Sequence, residues 1–369
     1  MVTFILGRSG SGKTELIHKI IRDRGSFRKT LLIVPEQSSF LNEKKLLAAL
    51  GAKGARDIEV LSFRRLCDFV FEHFGGITDE RIDDGCKAVL MSRAIDSCCD
   101  SAELLVSSKR RKSALIDPML TAVNEYKMCL ITPEMLTQAS KGVSDPQLGA
   151  KLRDSAVIYA AYNALLENTY SDPDDDLTRM CAMLDGEDYF ADMRICFDSF
   201  TGFSAQEMQV IRCILQSADE IYFSLCVPSA RAVDNTGIFS EPGETLQTLM
   251  RLSRKVGHEC RISDETRPGL RYKSDSIAAV EQGVFSGFRS DELQHGKNDG
   301  SVCIYEADDI YDEVRYIASR ILHLVNDCGY RYSDIEIITR RPELYKNAVD
   351  SEFPKYGIPY FLSSSQSLA

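Results

Sequence analysis

A run near the start of the chain, Gly7-Arg8-Ser9-Gly10-Ser11-Gly12-Lys13-Thr14, satisfies the pattern G-x-x-x-x-G-K-[ST]. Glycines at these places let a loop fold around phosphate so that successive backbone N–H groups point inward, and a helix behind it adds its positive N-terminal end. Lys13 is expected to bridge the β- and γ-phosphates of ATP, and the Thr14 hydroxyl to ligate magnesium. The competing reading is a glycine-rich turn without a ligand, but the motif lies between an apolar strand pattern and a helical one, as a phosphate loop must. A second group is then needed, a carboxylate at the end of a buried strand to hold the magnesium shell, with an acid beside it to orient water. Arg194-Ile195-Cys196-Phe197-Asp198-Ser199 supplies the strand and Asp198. Ser199 stands where that second acid is needed, and serine is a poor base at neutral pH. Nucleotide binding is expected, and rapid turnover is not. The plainer alternative is that Asp198 merely ends a strand.

The elements that would position these groups follow from periodicity. Val2 to Leu6 is apolar, and Leu16, Ile17, Ile20 and Ile21 repeat at helical spacing. Leu31 to Val34 closes a β-α-β unit, and Ile58 to Leu61 reads as a third strand before a helix with Leu66, Phe69, Val70 and Phe74. From about Asp79 to Asp185 helical periodicity dominates, with caps and breaks at Asp117-Pro118, Thr132-Pro133, Asp145-Pro146 and Asp172-Pro173. Strands resume at Arg194 to Phe197 and Glu220 to Cys226, separated by a helix from about Ala205 to Gln216. An amphipathic helix carries Leu246, Leu249, Met250 and Val256, and Arg261 to Gly300 reads as a connecting segment. Val302 to Tyr305, a helix from about Tyr311 to Asp327, and Ile335 to Thr339 predict a second β-α-β unit. No repeat of fixed period is visible.

Bulk properties narrow the class. A chain of 369 residues predicts two or three domains. No apolar run is long enough to cross a bilayer, and the N-terminus lacks the shape of a signal peptide, so a cytoplasmic protein is expected. The twelve cysteines form no C-x-x-C pair, and Cys67, Cys129, Cys196, Cys213 and Cys226 lie in apolar stretches, which predicts buried reduced thiols. With five scattered histidines, a zinc site is not expected. A net charge of −11 excludes bulk electrostatic attachment to nucleic acid, so any DNA contact must be local. The basic run Lys109-Arg110-Arg111-Lys112 reads as a solvated loop before a DNA guide, and Asp172 to Asp176 as helix-capping chemistry before a metal site.

Taken in order, these segments resemble the AddB subunit of bacterial AddAB-type helicase-nucleases, whose front part is an inactivated superfamily 1 helicase core. The resemblance rests on the phosphate loop, Val34-Pro35-Glu36-Gln37 with Phe40, and Leu61-Ser62-Phe63-Arg64-Arg65-Leu66. It continues through Lys151-Leu152-Arg153-Asp154, Tyr159, Tyr162 and Asp175-Asp176-Leu177, then Phe197 through Glu207, Glu313, and Asp334-Ile335 through Arg340 to Gly357-Ile358-Pro359-Tyr360-Phe361. It implies an α/β fold: a RecA-like parallel-sheet domain from 1–75 and 190–260, a helical insertion at 76–189, a connection at 261–300, and the start of a second RecA-like domain at 301–369. It further implies an AddA-like helicase-nuclease partner in a heterodimer, DNA as substrate in double-strand-break repair, and an iron-sulfur cluster only in parts of the longer family members beyond this segment. No glutamine-bearing segment precedes the phosphate loop, which leaves adenine selectivity open.

The same resemblance places single-stranded DNA against the loops after the second and third strands. Gln37, Ser39 and Phe40 fall in the first, Phe63 and Arg65 in the second, with Phe200 or Phe203 after the fourth. Such groups can hydrogen-bond, pair with phosphate or stack, although core packing is an equal reading for Phe40 and Phe63, and Asp68 would repel phosphate. Arg340 is the implied phosphate-facing candidate of the second domain. The rival class is a stand-alone P-loop nucleotide or small-molecule kinase, which would need a lid arginine cluster that the sequence lacks. A scaffold with an unused loop is a third reading.

Overall fold

The computed structural model describes residues 1–23, 27–36, 39, 42–44, 46, 51, 57–75, 81–98, 112–166, 170–229, 237–263, 265–267, 269–283 and 299–362. Parallel strands covered on both faces read as continuous apolar runs, and four such runs become strands: β1 (Val2–Leu6), β2 (Lys29–Ile33), β4 (Met193–Phe200) and β5 (Glu220–Leu225). With the shorter β3 (Ile58–Leu61) and β6 (Cys260–Ser263) they form one six-stranded sheet in the order β3-β2-β4-β5-β1-β6. Every pairing is parallel. This is a RecA-like α/β sheet.

Side chains alternate between the sheet's faces with period two, and each face has its own core. Phe4, Leu31, Ile33, Ile195, Phe197, Ile221 and Phe223 pack beneath helices α2 (Phe63–Phe74), α7 (Asp176–Met183), α8 (Ala205–Ser217) and α9 (Ser240–Val256). Ile5, Leu32, Val60 and Cys196 point the other way and meet Leu16, Ile17 and Ile21 of α1 (Lys13–Arg22). Caps fix the helix starts: Ser62 accepts from the Arg65 N–H, and Ser204 with Glu207 forms a reciprocal capping box.

The helices α3 (Asp84–Ser97), α4 (Lys112–Met128), α5 (Pro133–Gly142) and α6 (Pro146–Leu166) share a separate core of Met91, Ile95, Met119, Val123, Leu136, Ile158 and Tyr162. Thr132 and Asp145 cap their helices as the sequence predicts. Pro118 does not break its helix: it lies inside α4. One backbone bond is lost there, and the adjacent Met119 is buried in the insertion core, which holds the helix through the proline.

Two further expectations need correction. The stretch from Arg261 is not simply a connection, because Cys260–Ser263 joins the sheet beside β1 and Asp275–Gly283 forms a helix, α10. An edge strand that is only partly buried carries little apolar signal. In the second compact unit, residues 274–277 and 296–369, the helix expected near 311–327 forms as α11 (Ile310–Asn326) and packs Val314, Ala318 and Ile321 against Ala348 and Phe353 around α12 (Pro342–Glu352). The flanking runs 302–305 and 335–339 are not strands. Ile304 is 96% and Ile338 85% exposed, so neither run has a sheet face to bury against. No helix among the described residues is long and apolar enough to cross a membrane.

Candidate nucleotide-phosphate site

The glycine-rich loop joins β1 to α1 at the C-terminal edge of the sheet, where open α/β sheets place ligands. Gly12 is the N-cap of α1 with φ 84°, and no side chain caps that end, so the first-turn N–H groups are left for a ligand. Gly10 also has φ 72°; a Cβ there would lie 3.0 Å from Arg271 Cβ, so conformation and space both demand glycine. Ser11 Oγ is buried without a hydrogen-bond partner among the described residues.

Lys13 Nζ donates to the carbonyls of Gly7 at 2.8 Å and Arg8 at 2.9 Å. Burial pulls its ammonium below the usual lysine range, against the opposing influence of Cys226 and Asp198; Arg271 adds to the lowering and Glu281 opposes it. Thr14 Oγ1 donates to Asp198 Oδ2 at 2.9 Å. Ser199 Oγ donates to the same oxygen at 3.2 Å, and Ser224 from β5 donates to Asp198 Oδ1. Asp198 is 1% exposed, so three hydroxyls hold a buried carboxylate beside the loop. The register of β4 with β5 slips between Phe197 and Phe200, and Ser199 sits at φ 68°. A bulge with a left-handed non-glycine residue is strained backbone of the kind found at functional sites.

Thr14 and Asp198 would hold a magnesium ion, with phosphate oxygens and water completing the shell. That donor set is what magnesium takes: one carboxylate, one hydroxyl and the substrate's own oxygens. No protein-only cluster of His, Cys, Asp or Glu suited to a metal exists among the described residues.

The sequence missed the chain that follows β6. Thr266 Oγ1 donates to the Leu6 carbonyl at 2.6 Å, the Arg267 N–H to Ser11 O at 3.2 Å, the Arg271 N–H to Gly10 O at 3.1 Å, and the Tyr272 hydroxyl to Ser9 O at 3.2 Å. From α10, Glu281 receives Arg8: Nε reaches its Oε1 at 2.9 Å and Nη2 its carbonyl at 2.5 Å. The guanidinium also lies 5.0 Å from the Phe239 ring centroid. These contacts strap the loop from one side, and no motif announces them, since much of the work is done by backbone groups.

The DNA candidates divide. Arg65 Nη1 donates to Ser39 Oγ at 3.0 Å and lies 3.7 Å from Glu43, with 43% of its side chain exposed. Phe63 is 6% exposed, with its ring centroid 5.6 Å from Phe200 and 6.1 Å from Phe203, so it serves the core in this arrangement. Phe200 and Phe203 are half-buried at the edge of that aromatic group. Asp68 is paired with Arg81 at 2.6 Å. Gln37, Phe40 and Lys109 to Arg111 lie outside the described residues, and Arg340 is exposed on the second unit.

The acidic run is bound to lysines. Asp172 caps the turn Pro173–Asp175 and pairs with Lys127 at 2.6 Å and Lys87 at 2.8 Å. Lys127 also meets Asp175 at 2.7 Å, and Gln206 of α8 donates to the Asp174 carbonyl at 3.0 Å. This network fastens the insertion to the sheet domain. Not all thiols are buried: Cys67, Cys98, Cys181 and Cys196 are, while Cys129 is exposed, and all the described cysteines are free.

Comparison with known proteins agrees with this architecture. Residues 4–281 match the family model described as ADDB, N-terminal. The chain is 29% identical over 371 residues to the B subunit of the ATP-dependent helicase/deoxyribonuclease of Clostridium tetani, covering 97% of this chain and 32% of that protein. The B subunits of the same description from Clostridium acetobutylicum and Thermoanaerobacter pseudethanolicus are 29% and 27% identical over 99% and 98% of this chain. The chain thus spans about a third of the length of the curated relatives it matches (32%).

Proposed function

Because the chain belongs to the ADDB N-terminal family, we propose that it is the ATP-binding part of a helicase-nuclease B subunit, one that holds nucleotide and magnesium but turns ATP over slowly. The observation that carries this is the assembly of Lys13, Thr14 and Asp198 around an uncapped helix start, from loop and strand residues far apart in sequence. The glycine loop and helix end would bind phosphate, Lys13 would leave its own carbonyls for the β- and γ-oxygens, and Thr14 with Asp198 would hold magnesium. Bound magnesium supplies charge neutralisation at the phosphates. The orphaned Ser11 hydroxyl has a natural partner in a phosphate oxygen. Beside Asp198 there is a hydroxyl and not a carboxylate, which supports binding without efficient water activation.

Residues 1–75 and 190–260, with β6 carrying the sheet on to Ser263, would then form the first RecA-like domain, 76–189 the insertion, and 301–369 part of a second such domain, represented among its described residues by α11 and α12. Arg65, with the edge of Phe203, would contribute a single-strand contact in DNA end processing and recombinational repair, whereas Ser39 is only 5% exposed and would position the Arg65 guanidinium. An AddA-like partner in a heterodimer would complete that groove, since the acidic chain offers little general attraction for DNA. Calorimetric titration with ATP and magnesium tests the site: the wild type binds and Lys13→Ala loses most of the affinity. Equal binding by both would remove the loop from the site.

A further inference from the structure

The loop's two basic side chains are already satisfied by acceptors from the chain itself. Lys13 bonds to loop carbonyls, and Arg8 bonds to a carboxylate and a carbonyl of one residue, Glu281, which is distant in sequence. The Arg8 and Glu281 side chains are 26% and 18% exposed, so their pairing is largely shielded from water. Phe239 limits the guanidinium from another side. The segment that delivers Glu281 is itself stitched to the loop through Thr266, Arg267, Arg271 and Tyr272. Leu270 approaches closely enough that a Cβ on Gly12 would lie 3.0 Å from its Cδ1. Glu281 is thus an anion held against a loop built to receive anions.

We infer that Glu281 is a built-in competitor of nucleotide phosphate, a carboxylate that occupies Arg8 until phosphate displaces it and so sets the affinity of the loop. This rests on the reading that the loop binds ATP. Two consequences follow. Phosphate binding exchanges one charge-assisted pair for another, which weakens net affinity. The bonds from Arg8 to Glu281 on α10 must also yield.

The test uses the full chain with ATP and magnesium, in wild type, Glu281→Gln, Glu281→Asp and Lys13→Ala, each checked for folding by far-ultraviolet circular dichroism. A charge-assisted bond of this kind makes a difference of roughly tenfold in an equilibrium constant. Glu281→Gln should therefore bind ATP about tenfold more tightly, while Glu281→Asp, which keeps the charge, stays near wild type. Binding by Glu281→Gln alone, with none by wild type, would carry the same meaning. If Glu281→Gln matches wild type or is weaker while Lys13→Ala still abolishes binding, the competitor is wrong and the nucleotide site stands. Equal tightening by Gln and Asp would assign the effect to a loosened strap and overturn the role of charge. No binding by wild type or Glu281→Gln overturns both readings.

Discussion

Ser199 offers the most direct probe of the proposed slow turnover. It follows Asp198 at the β4 bulge with φ 68°, and its hydroxyl is spent on Asp198 Oδ2 at 3.2 Å. General-base assistance contributes about 10² to 10⁴ in rate, so the wild type should hydrolyse ATP near background even at saturation. Ser199→Glu places a carboxylate beside the position from which water would be activated. Its gain should fall well short of that range, for two reasons. The new carboxylate adjoins Asp198, and like charges at that distance disfavour ionisation of one of them. A guanidinium on the transferring phosphoryl group is worth a further 10³ to 10⁵, and the substitution supplies none. A rise of roughly tenfold is expected against the larger range general-base catalysis supplies. Ser199→Gly separates conformation from chemistry: glycine relaxes the left-handed backbone by about 1 kcal/mol but removes a hydroxyl from buried Asp198, so the two effects oppose each other in stability and the rate should not rise. Single-turnover hydrolysis under matched magnesium reads all three proteins, with Lys13→Ala as the blank. Wild-type turnover at a working enzyme's rate, abolished in Lys13→Ala, would refute the reasoning. So would a gain of a hundredfold or more in Ser199→Glu, which would mean that the base alone was missing.

Other perturbations report on the surroundings. Lys127→Met removes a cation that is 4% exposed and bonded to Asp172 and Asp175; leaving Asp172 with Lys87 as its remaining cation should cost about 3 kcal/mol in urea unfolding followed by circular dichroism, and a loss under about 1 kcal/mol would deny the network its role. Burial would raise Asp172, but the charge and bonds of Lys127 and the bond from Lys87 outweigh it and hold its carboxyl below the usual aspartate range. The stability it contributes is present above the unfolded aspartate pKa and lost as pH falls through the folded value, an effect that Asp175, raised chiefly by burial, partly offsets. Arg65→Ala should lower the salt dependence of single-stranded DNA binding by the proposed heterodimer by about 0.7 in log-log slope, one phosphate contact, and an unchanged slope would remove Arg65 from the proposed DNA contact.

How much of this was legible in the sequence depends on where each contact's information lies. The phosphate loop is local: spacing, strand and helix are contiguous, so Gly7 to Thr14 could be read directly. The inner strands were legible because burial on both faces leaves unbroken apolar runs such as Val2 to Leu6. Asp198 could be placed at a strand end, but its hydroxyl partners could not, because Ser224 becomes a neighbour only when β5 lies beside β4. The edge strand β6 carries Arg261 and Ser263 and is only partly buried, which erases its period. Phe63 was open between a stacking ring and a core residue, and only the packed fold decides: in the first turn of α2 it turns inward to Phe197 and Phe200.

The lysine–aspartate network and the strap were hidden for a shared reason. Asp172 to Asp176 could be read as caps because capping is a local act, whereas Lys87 and Lys127 arrive from helices whose approach depends on the packing of the insertion. Arg8 and Glu281 are 273 positions apart, and several of the bonds between them along the strap use backbone N–H and C=O groups, which every sequence possesses. A motif records which residue types a ligand requires. It does not record which part of the same chain stands in the ligand's way, and that is set by where α10 is carried after β6. If Glu281 competes with phosphate, the affinity of this loop is a property of the strap as much as of the glycines, and an intact phosphate-loop sequence alone cannot specify it.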